Sequence, residues 1–223
     1  MTSPRAPFVR VALTAVLVPA LLVGAHPDAA SAASTVNAST LLNTLPVKAE
    51  NTSKYDRSLF NYGIDADKDG CNTRAEVLMA ESKKNVTHAK SSCTVKTGRW
   101  HSQYDGRTYT DASKLEIDHL VALSEAWDSG AQKWSASRRQ KFANDLGYAW
   151  TLNAVSTASN QAKVDKDPAQ WLPAKNRCQY VAEWVAVKYR WSLAIDAAEK
   201  TAIQKAMKGC TAASLTVTAP KKA

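Results

Sequence analysis

The chain has 223 residues and a formal net charge of +9, with 29 lysine or arginine residues against 20 aspartate or glutamate residues. After its N-terminal segment it has no apolar run of the ~20 residues that a membrane-spanning helix needs, so we expect a mature form without a membrane-bound part. The length is typical of one compact domain, expected to be a monomer. The basic surplus favours polyanionic partners, although many basic secreted proteins bind no nucleic acid.

The N-terminal residues predict a signal peptide. Arg5 and Arg10 precede an apolar run over residues 11–24, and small residues follow at 29–33. A core of about 14 apolar residues is typical of an export signal and too short for a membrane anchor. We therefore expect cleavage after Ala32, secretion of the remaining chain and a mature net charge of +8.

Four cysteines lie in the mature part of the chain, and none belongs to a Cys-x-x-Cys pair: Cys71, Cys93, Cys178 and Cys210. In an exported chain this number favours two disulfides. Of the three pairings that exist, 71–93 with 178–210 is preferred, since each bond closes a local loop. A zinc site would need closely spaced cysteines, which this sequence lacks.

The residue patterns predict a single compact α+β domain that is mostly helical. Residues 33–54 are expected to form a flexible lead-in, residues 55–212 the domain, and residues 213–223 a basic tail. Ser124 is a candidate N-cap for one of the helices. Aromatic and aliphatic residues at helical spacing predict core positions and not a site: Tyr180, Trp184, Val187 and Trp191.

An acidic loop precedes the helix predicted from Thr73. Its residues match positions 1, 3, 5, 6 and 12 of an EF-hand calcium loop: Asp65, Asp67, Asp69, Gly70 and Glu76. Asn72 stands where such loops usually have an apolar residue. The segment therefore predicts either a structural Ca²⁺ site or a polar turn that caps the helix.

The pair Asp118-His119 interrupts an apolar segment, Leu115 to Leu123, that otherwise predicts a buried strand. Burying an ionised carboxylate is costly unless something binds it. One interpretation is a salt-bridged aspartate beside a core histidine whose hydrogen bonds are satisfied. The other is a functional site.

A second segment supports the functional interpretation, because Asn153, Asn160 and Lys163 follow at the spacing of a known motif. Together with Asp118-His119, this segment resembles the HNH, or ββα-metal, nuclease family. The likeness is closer to secreted actinobacterial HNH-type nucleases and covers about residues 55–195. It includes four further segments, at 69–74, 125–131, 142–146 and 167–173.

The resemblance implies a ββα-metal core and a division of labour among these residues. Asp118 and Asn160 would bind Mg²⁺, Mn²⁺ or another divalent ion, and His119 would be the general base. Asn153 would support catalysis by tying the loop that carries His119, although the two asparagines could exchange roles. Lys163 would contact a phosphate, or would be an ordinary solvated helix lysine.

Four weaker candidates complete the predicted site. Glu125 could orient a metal-bound water or stabilise a helix N-terminus. Arg99, Arg138 and Arg139 could contact the phosphate backbone, or could be surface charges. The sequence thus predicts a secreted metal-dependent endonuclease that acts on DNA more than on RNA. The alternatives are a calcium-stabilised secreted binding module and a DNA-binding protein without catalysis.

Overall fold

The computed structural model describes residues 33–90 and 92–223. The predicted signal peptide lies outside the described residues. The strands are β1 (Thr35–Asn37), β2 (Thr87–His88), β3 (Val95–Ser102), β4 (Arg107–Asp111), β5 (Leu115–His119), β6 (Leu152–Ser156) and β7 (Thr216–Thr218). The α-helices are α1 (Ala38–Leu42), α2 (Thr73–Glu81), α3 (Leu123–Asp128), α4 (Ala136–Ala143), α5 (Thr157–Lys163), α6 (Arg177–Trp191) and α7 (Ala197–Met207).

This arrangement is the predicted α+β fold, but it is not mostly helical. α-Helices and short 3₁₀ helices together hold 39% of the described residues. The strands form three small antiparallel sheets, with the orders β1-β7, β2-β3-β4 and β5-β6. β3 and β4 are neighbours in the three-stranded sheet, with Trp100 opposite Tyr109.

Helix α6 forms the centre of the larger of two hydrophobic clusters. All four of its predicted core residues are buried: Tyr180, Trp184, Val187 and Trp191. The second cluster lies between α2 and the strands β3, β5 and β6, with Leu78, Trp100, Leu115 and Leu152 among its members. This second cluster holds the inner face of β5 and thereby fixes the strand that ends in Asp118-His119.

Both predicted disulfides are confirmed. Cys71–Cys93 joins the start of α2 to the segment before β3, and Cys178–Cys210 joins α6 to the end of α7. Each bond links elements that are close in sequence.

The two flanking segments differ from the prediction of a flexible lead-in and a tail. β1 pairs with β7, so the two ends of the described chain share a sheet. In α1, Leu41 and Leu42 are buried against the larger cluster. The many small polar residues of the lead-in concealed a short apolar helix face.

Helix α5 begins directly where β6 ends. The side chain of Ser156, the last residue of β6, accepts a hydrogen bond from Ser159 N and caps the helix. β5 and β6 are antiparallel, with Asp118 opposite Asn153. The three elements form a strand–strand–helix unit, whose strands are separated in sequence by α3 and α4.

Glu183 on α6 is a buried carboxyl group that makes the fold sensitive to pH. It is 3% exposed, and its Oε1 accepts a hydrogen bond from Gln179 Nε2 at 2.8 Å. Burial raises the pKa of Glu183 from 4.5 to about 9. The carboxyl group is therefore neutral in the folded protein at pH 7 and ionised in the unfolded chain.

We expect Glu183→Gln to stabilise the protein at neutral and alkaline pH. In the wild type, this group's contribution to stability falls as pH rises from about 4.5 to about 9, because only the unfolded chain releases the proton. Glutamine keeps the shape without the ionisation, so the gain at pH 7 should be about 1–3 kcal/mol. Urea unfolding from pH 5 to 9 measures this. Parallel pH profiles for the two proteins would contradict the expectation.

Candidate functional site

The strand–strand–helix unit brings four polar side chains together between β5 and α5. Glu116 and Asp118 are two residues apart on β5 and therefore project from the same face. Asn160 and Lys163 are three residues apart on α5. Asn160 Nδ2 donates to Glu116 Oε2 at 2.6 Å, and Lys163 Nζ donates to Asp118 Oδ1 at 2.8 Å. We call these four residues the β5–α5 layer.

Asp118 is buried, and each of its carboxylate oxygens has a partner. Oδ1 forms the ion pair with Lys163, and Oδ2 accepts a 2.6 Å hydrogen bond from the Tyr104 hydroxyl. Burial raises the pKa of Asp118, while the Lys163 ammonium and the Tyr104 hydroxyl act in the opposite direction. The carboxylate is thus held on both sides by donors.

Lys163 occupies a different position from either of its predicted ones. Its side chain is fully buried, and Nζ also donates to the backbone oxygen of His119 at 3.0 Å. It is therefore neither a solvated helix lysine nor an exposed phosphate contact. The last turn of α5 faces β5, which directs the long side chain inward to the buried carboxylate.

His119 ends β5 and is held through one ring nitrogen. Its Nε2 lies 2.9 Å from the backbone oxygen of Ala143, at the end of α4. A carbonyl oxygen only accepts, so Nε2 carries the proton and Nδ1 of the neutral ring is an acceptor. Burial lowers the pKa of His119 to about 4, and the positive charges of Arg57 and Lys163 act in the same direction. The ring is accordingly neutral at physiological pH.

The two asparagines have distinct surroundings. Asn153 is buried opposite Asp118, and its Nδ2 donates to the backbone oxygen of Trp150 at 3.1 Å. Asn153 thus ties the turn before β6 and does not bond directly to the loop after His119. Asn160 contacts Glu116, a residue to which sequence reasoning gave no role. The position of Glu116, two residues before Asp118 on the same strand, was the signal that could have identified Glu116 from the sequence.

The β5–α5 layer has a donor set that suits a hard divalent cation. Carboxylate and amide oxygens are the ligands that Mg²⁺ and Mn²⁺ prefer. Asp118, Glu116 and Asn160 supply such oxygens on one layer. Each Asp118 oxygen accepts one hydrogen bond and keeps a second lone pair. The residues therefore fit the ion that the resemblance implies.

Glu125 lies in another cluster. Its Oε1 accepts hydrogen bonds from Ser129 Oγ and Lys188 Nζ, both at 2.6 Å, and Lys188 also pairs with Glu199. Glu125 is in the first turn of α3, as a residue that stabilises a helix N-terminus would be. Its contacts do not support the predicted role of orienting a metal-bound water, because it serves to neutralise a buried lysine.

The predicted nucleic-acid contacts divide into two kinds. The guanidinium groups of Arg138 and Arg139 donate to backbone carbonyl oxygens, so they join segments of the fold. Arg99 is exposed on β3. Arg57, which sequence reasoning missed, is also exposed, and its guanidinium lies 4.5 Å from the centroid of the Tyr62 ring. The positive charge of Arg57 also helps to lower the pKa of His119.

The acidic loop brings three of its four predicted side-chain ligands together. Carboxylate oxygens of Asp65, Asp67 and Asp69 lie within 4.8 Å of one another. Burial raises the pKa of Glu76, and these three negative charges raise it further. Within the described residues, Glu76 Oε2 is buried without a hydrogen-bond partner. Gly70 has a φ of +93°, which fits the sharp turn of such loops.

We expect Lys163→Met to destabilise the protein by about 3–5 kcal/mol, because it leaves the Asp118 carboxylate buried and unpaired. Adding Asp118→Asn should recover more than about 1 kcal/mol, since it removes that charge. Urea unfolding of the single and double variants measures both effects. Lys166→Met, at an exposed lysine, is the control and should change stability by less than about 0.5 kcal/mol. An equally small effect of Lys163→Met would show that the ion pair does not hold the unit together.

Comparison with known proteins places this chain in a family. The sequence model described as "GmrSD restriction endonucleases, C-terminal domain" matches residues 73–206, more than half of the chain. A protein of Arthroderma benhamiae, named "Uncharacterized secreted protein", is 40% identical over 176 residues, which cover 78% of this chain and 84% of that protein. No solved structure matches the chain. Within the described residues, no helix is long and apolar enough to cross a membrane. The chain belongs to the family of the GmrSD restriction endonuclease C-terminal domain.

Proposed function

We propose that the protein is an exported metal-dependent endonuclease of the HNH type that hydrolyses phosphodiester bonds, in DNA more than in RNA. The family is that of a restriction endonuclease domain, which supports an endonuclease activity. The observation that carries the finer proposal is the environment of His119. A neutral imidazole fixed through Nε2 ends the strand directly after Asp118, and its Nδ1 remains as an acceptor.

In this proposal His119 is the general base, and Asp118 and Asn160 hold Mg²⁺ or Mn²⁺. Nδ1 takes a proton from a water molecule, whose oxygen attacks the phosphorus in line. The P–O3′ bond breaks, leaving a 5′-phosphate and a 3′-hydroxyl that acquires its proton from solvent. When bound, the ion polarises the phosphate and stabilises the negative charge on the leaving oxygen. Asn153 supports the site by fixing the turn that leads into β6.

Lys163 has a revised role in this mechanism. Its ammonium holds Asp118 Oδ1 and the backbone oxygen of His119, so it links the ligand and the base to one point on α5. We assign phosphate binding to Arg57 and Arg99 instead, since both are exposed. Arg57 lies outside residues 73–206, which the family model matches, so the family match does not bear on this assignment.

Export is part of the proposal. The N-terminal pattern of residues 1–32 predicts a signal peptide, and the relative from Arthroderma benhamiae is named a secreted protein. Two disulfides suit an oxidising environment. A monomer and an extracellular nucleic acid substrate complete the proposal. The family match extends to the family of the GmrSD restriction endonuclease C-terminal domain. The closer likeness to secreted actinobacterial HNH-type nucleases stays a prediction.

His119→Ala should reduce cleavage of supercoiled plasmid DNA by about 10²–10⁴-fold, the usual contribution of a general base. The mature wild-type protein should cleave with Mg²⁺ or Mn²⁺ and fail in EDTA. His101→Ala is the matched control, because His101 is exposed on β3, and it should cleave as the wild type does.

Unchanged cleavage by a folded His119→Ala variant would refute the assignment of the base. A binding module, or a DNA-binding protein without catalysis, would instead show no metal-dependent cleavage in the wild type. The same assay on single strands and RNA measures the preference for DNA.

We also propose that the acidic loop binds a structural Ca²⁺ that takes no part in catalysis. Ca²⁺ at 100 times its Kd should stabilise the protein by about 2.7 kcal/mol, seen as a rise in Tm relative to EGTA. Asp67→Asn should reduce this rise, because it removes the charge of one ligand. The hydrogen bonds within the loop are made by Asp65 and Asp69, so this substitution leaves them in place. Equal Tm values in Ca²⁺ and EGTA would favour the polar-turn interpretation.

A further inference from the structure

Tyr104 contacts the carboxylate oxygen that Lys163 leaves free. We propose that Tyr104 is a positioning residue: its hydroxyl fixes the orientation of Asp118 for the divalent ion, and a buried aromatic cluster fixes the hydroxyl. This inference rests on the proposed function, because it gives Tyr104 a role in the same site.

The hydroxyl contact is short and buried. Tyr104 is 3% exposed, and its hydroxyl donates to Asp118 Oδ2 at 2.6 Å. Hydrogen bonds from a hydroxyl to a carboxylate are shorter and stronger than those between neutral groups. Tyr104 lies in the turn between β3 and β4, so it reaches the site from a different sheet than β5 does.

Two other rings hold the Tyr104 ring in place. Its centroid lies 5.3 Å from that of Trp171 and 5.6 Å from that of Tyr180, both in edge-to-face arrangements. Trp171 and Tyr180 are themselves 5.6 Å apart, which closes a three-ring cluster. The backbone is held as well, because the backbone N–H of Lys175 donates to the backbone oxygen of Tyr104 at 3.1 Å. The hydroxyl therefore has one direction available to it.

This cluster gives a role to the segment at residues 167–173, which the resemblance includes without a function. Trp171 belongs to that segment, and its ring is one wall of the cluster. With Lys163 on Oδ1 and Tyr104 on Oδ2, the plane of the Asp118 carboxylate is fixed from both sides. Residues that orient a metal ligand in this way typically contribute 10–100-fold to metal affinity or activity.

The chain offers a matched control in Tyr180. Its ring belongs to the same cluster and is equally buried, but within the described residues its hydroxyl has no hydrogen-bond partner. Tyr104→Phe and Tyr180→Phe therefore remove the same atom from the same cluster. The two variants differ in whether that atom contacts Asp118.

The test is Mn²⁺ binding to the mature full chain by titration calorimetry, together with the Mn²⁺ concentration that gives half-maximal plasmid cleavage. Both are measured at a temperature at which circular dichroism shows every variant to be folded. Tyr104→Phe should weaken Mn²⁺ binding and raise the half-maximal concentration by about 10-fold or more. Tyr180→Phe should leave both unchanged. A loss of folded protein alone would lower the rate without moving the half-maximal concentration.

Loss of Mn²⁺ binding in Asp118→Ala would show that the wild type binds the ion through Asp118. If Tyr104→Phe then binds Mn²⁺ as tightly as Tyr180→Phe does, the role of Tyr104 is refuted and the proposed nuclease site stands. A lower rate of Tyr104→Phe with an unchanged half-maximal concentration would also refute it. A wild type that neither binds Mn²⁺ nor cleaves would overturn the proposed function, and the inference with it.

Discussion

The buried ion pair between Lys163 and Asp118 is the interaction on which the site depends. It joins the last turn of α5 to the end of β5 across 45 positions of sequence, at 2.8 Å and with both side chains buried. The same ammonium holds the backbone oxygen of His119. A single side chain therefore fixes the proposed ligand and the proposed base relative to each other. The rest of the strand–strand–helix unit serves to bring that lysine to that strand.

Much of this arrangement could be predicted from local patterns. Asp118-His119 was visible as a polar break in an apolar strand, and the core face of α6 was visible as helical spacing. Both disulfides followed from the preference for local loops. These features depend on residues that are near in sequence, so periodicity and spacing suffice to find them.

The partners of the polar side chains could not be predicted in the same way. Asn160 and Lys163 have the spacing of the motif, but the sequence does not determine which carboxylate each one meets. The structure pairs Asn160 with Glu116 and Lys163 with Asp118. Tyr104 comes from a separate sheet, so only the packing of that sheet against β5 brings its hydroxyl to Asp118. Likewise, the apolar face of α1 was hidden among small polar residues.

The positions of the charged side chains also limit what net charge can indicate. Lys163 and Lys188 are fully buried and paired with carboxylates, and Arg190 pairs with Asp145. Several cations of the basic surplus therefore stabilise the interior and do not attract nucleic acid. The proposed nuclease activity therefore rests on the geometry of the site and on the family, and not on the net charge.

Stability alone does not explain why a charged pair lies at the end of β5. Replacing a buried ion pair by apolar residues of similar size is often neutral or stabilising, because desolvation offsets most of the attraction. The other face of β5 shows that apolar residues can pack against this strand, because Leu115 lies there in the second hydrophobic cluster. A carboxylate at this position is therefore consistent with the proposed site, which uses its oxygens. Lys163 and Tyr104 each engage one lone pair on an Asp118 oxygen, so each oxygen keeps a second lone pair for the cation that we propose.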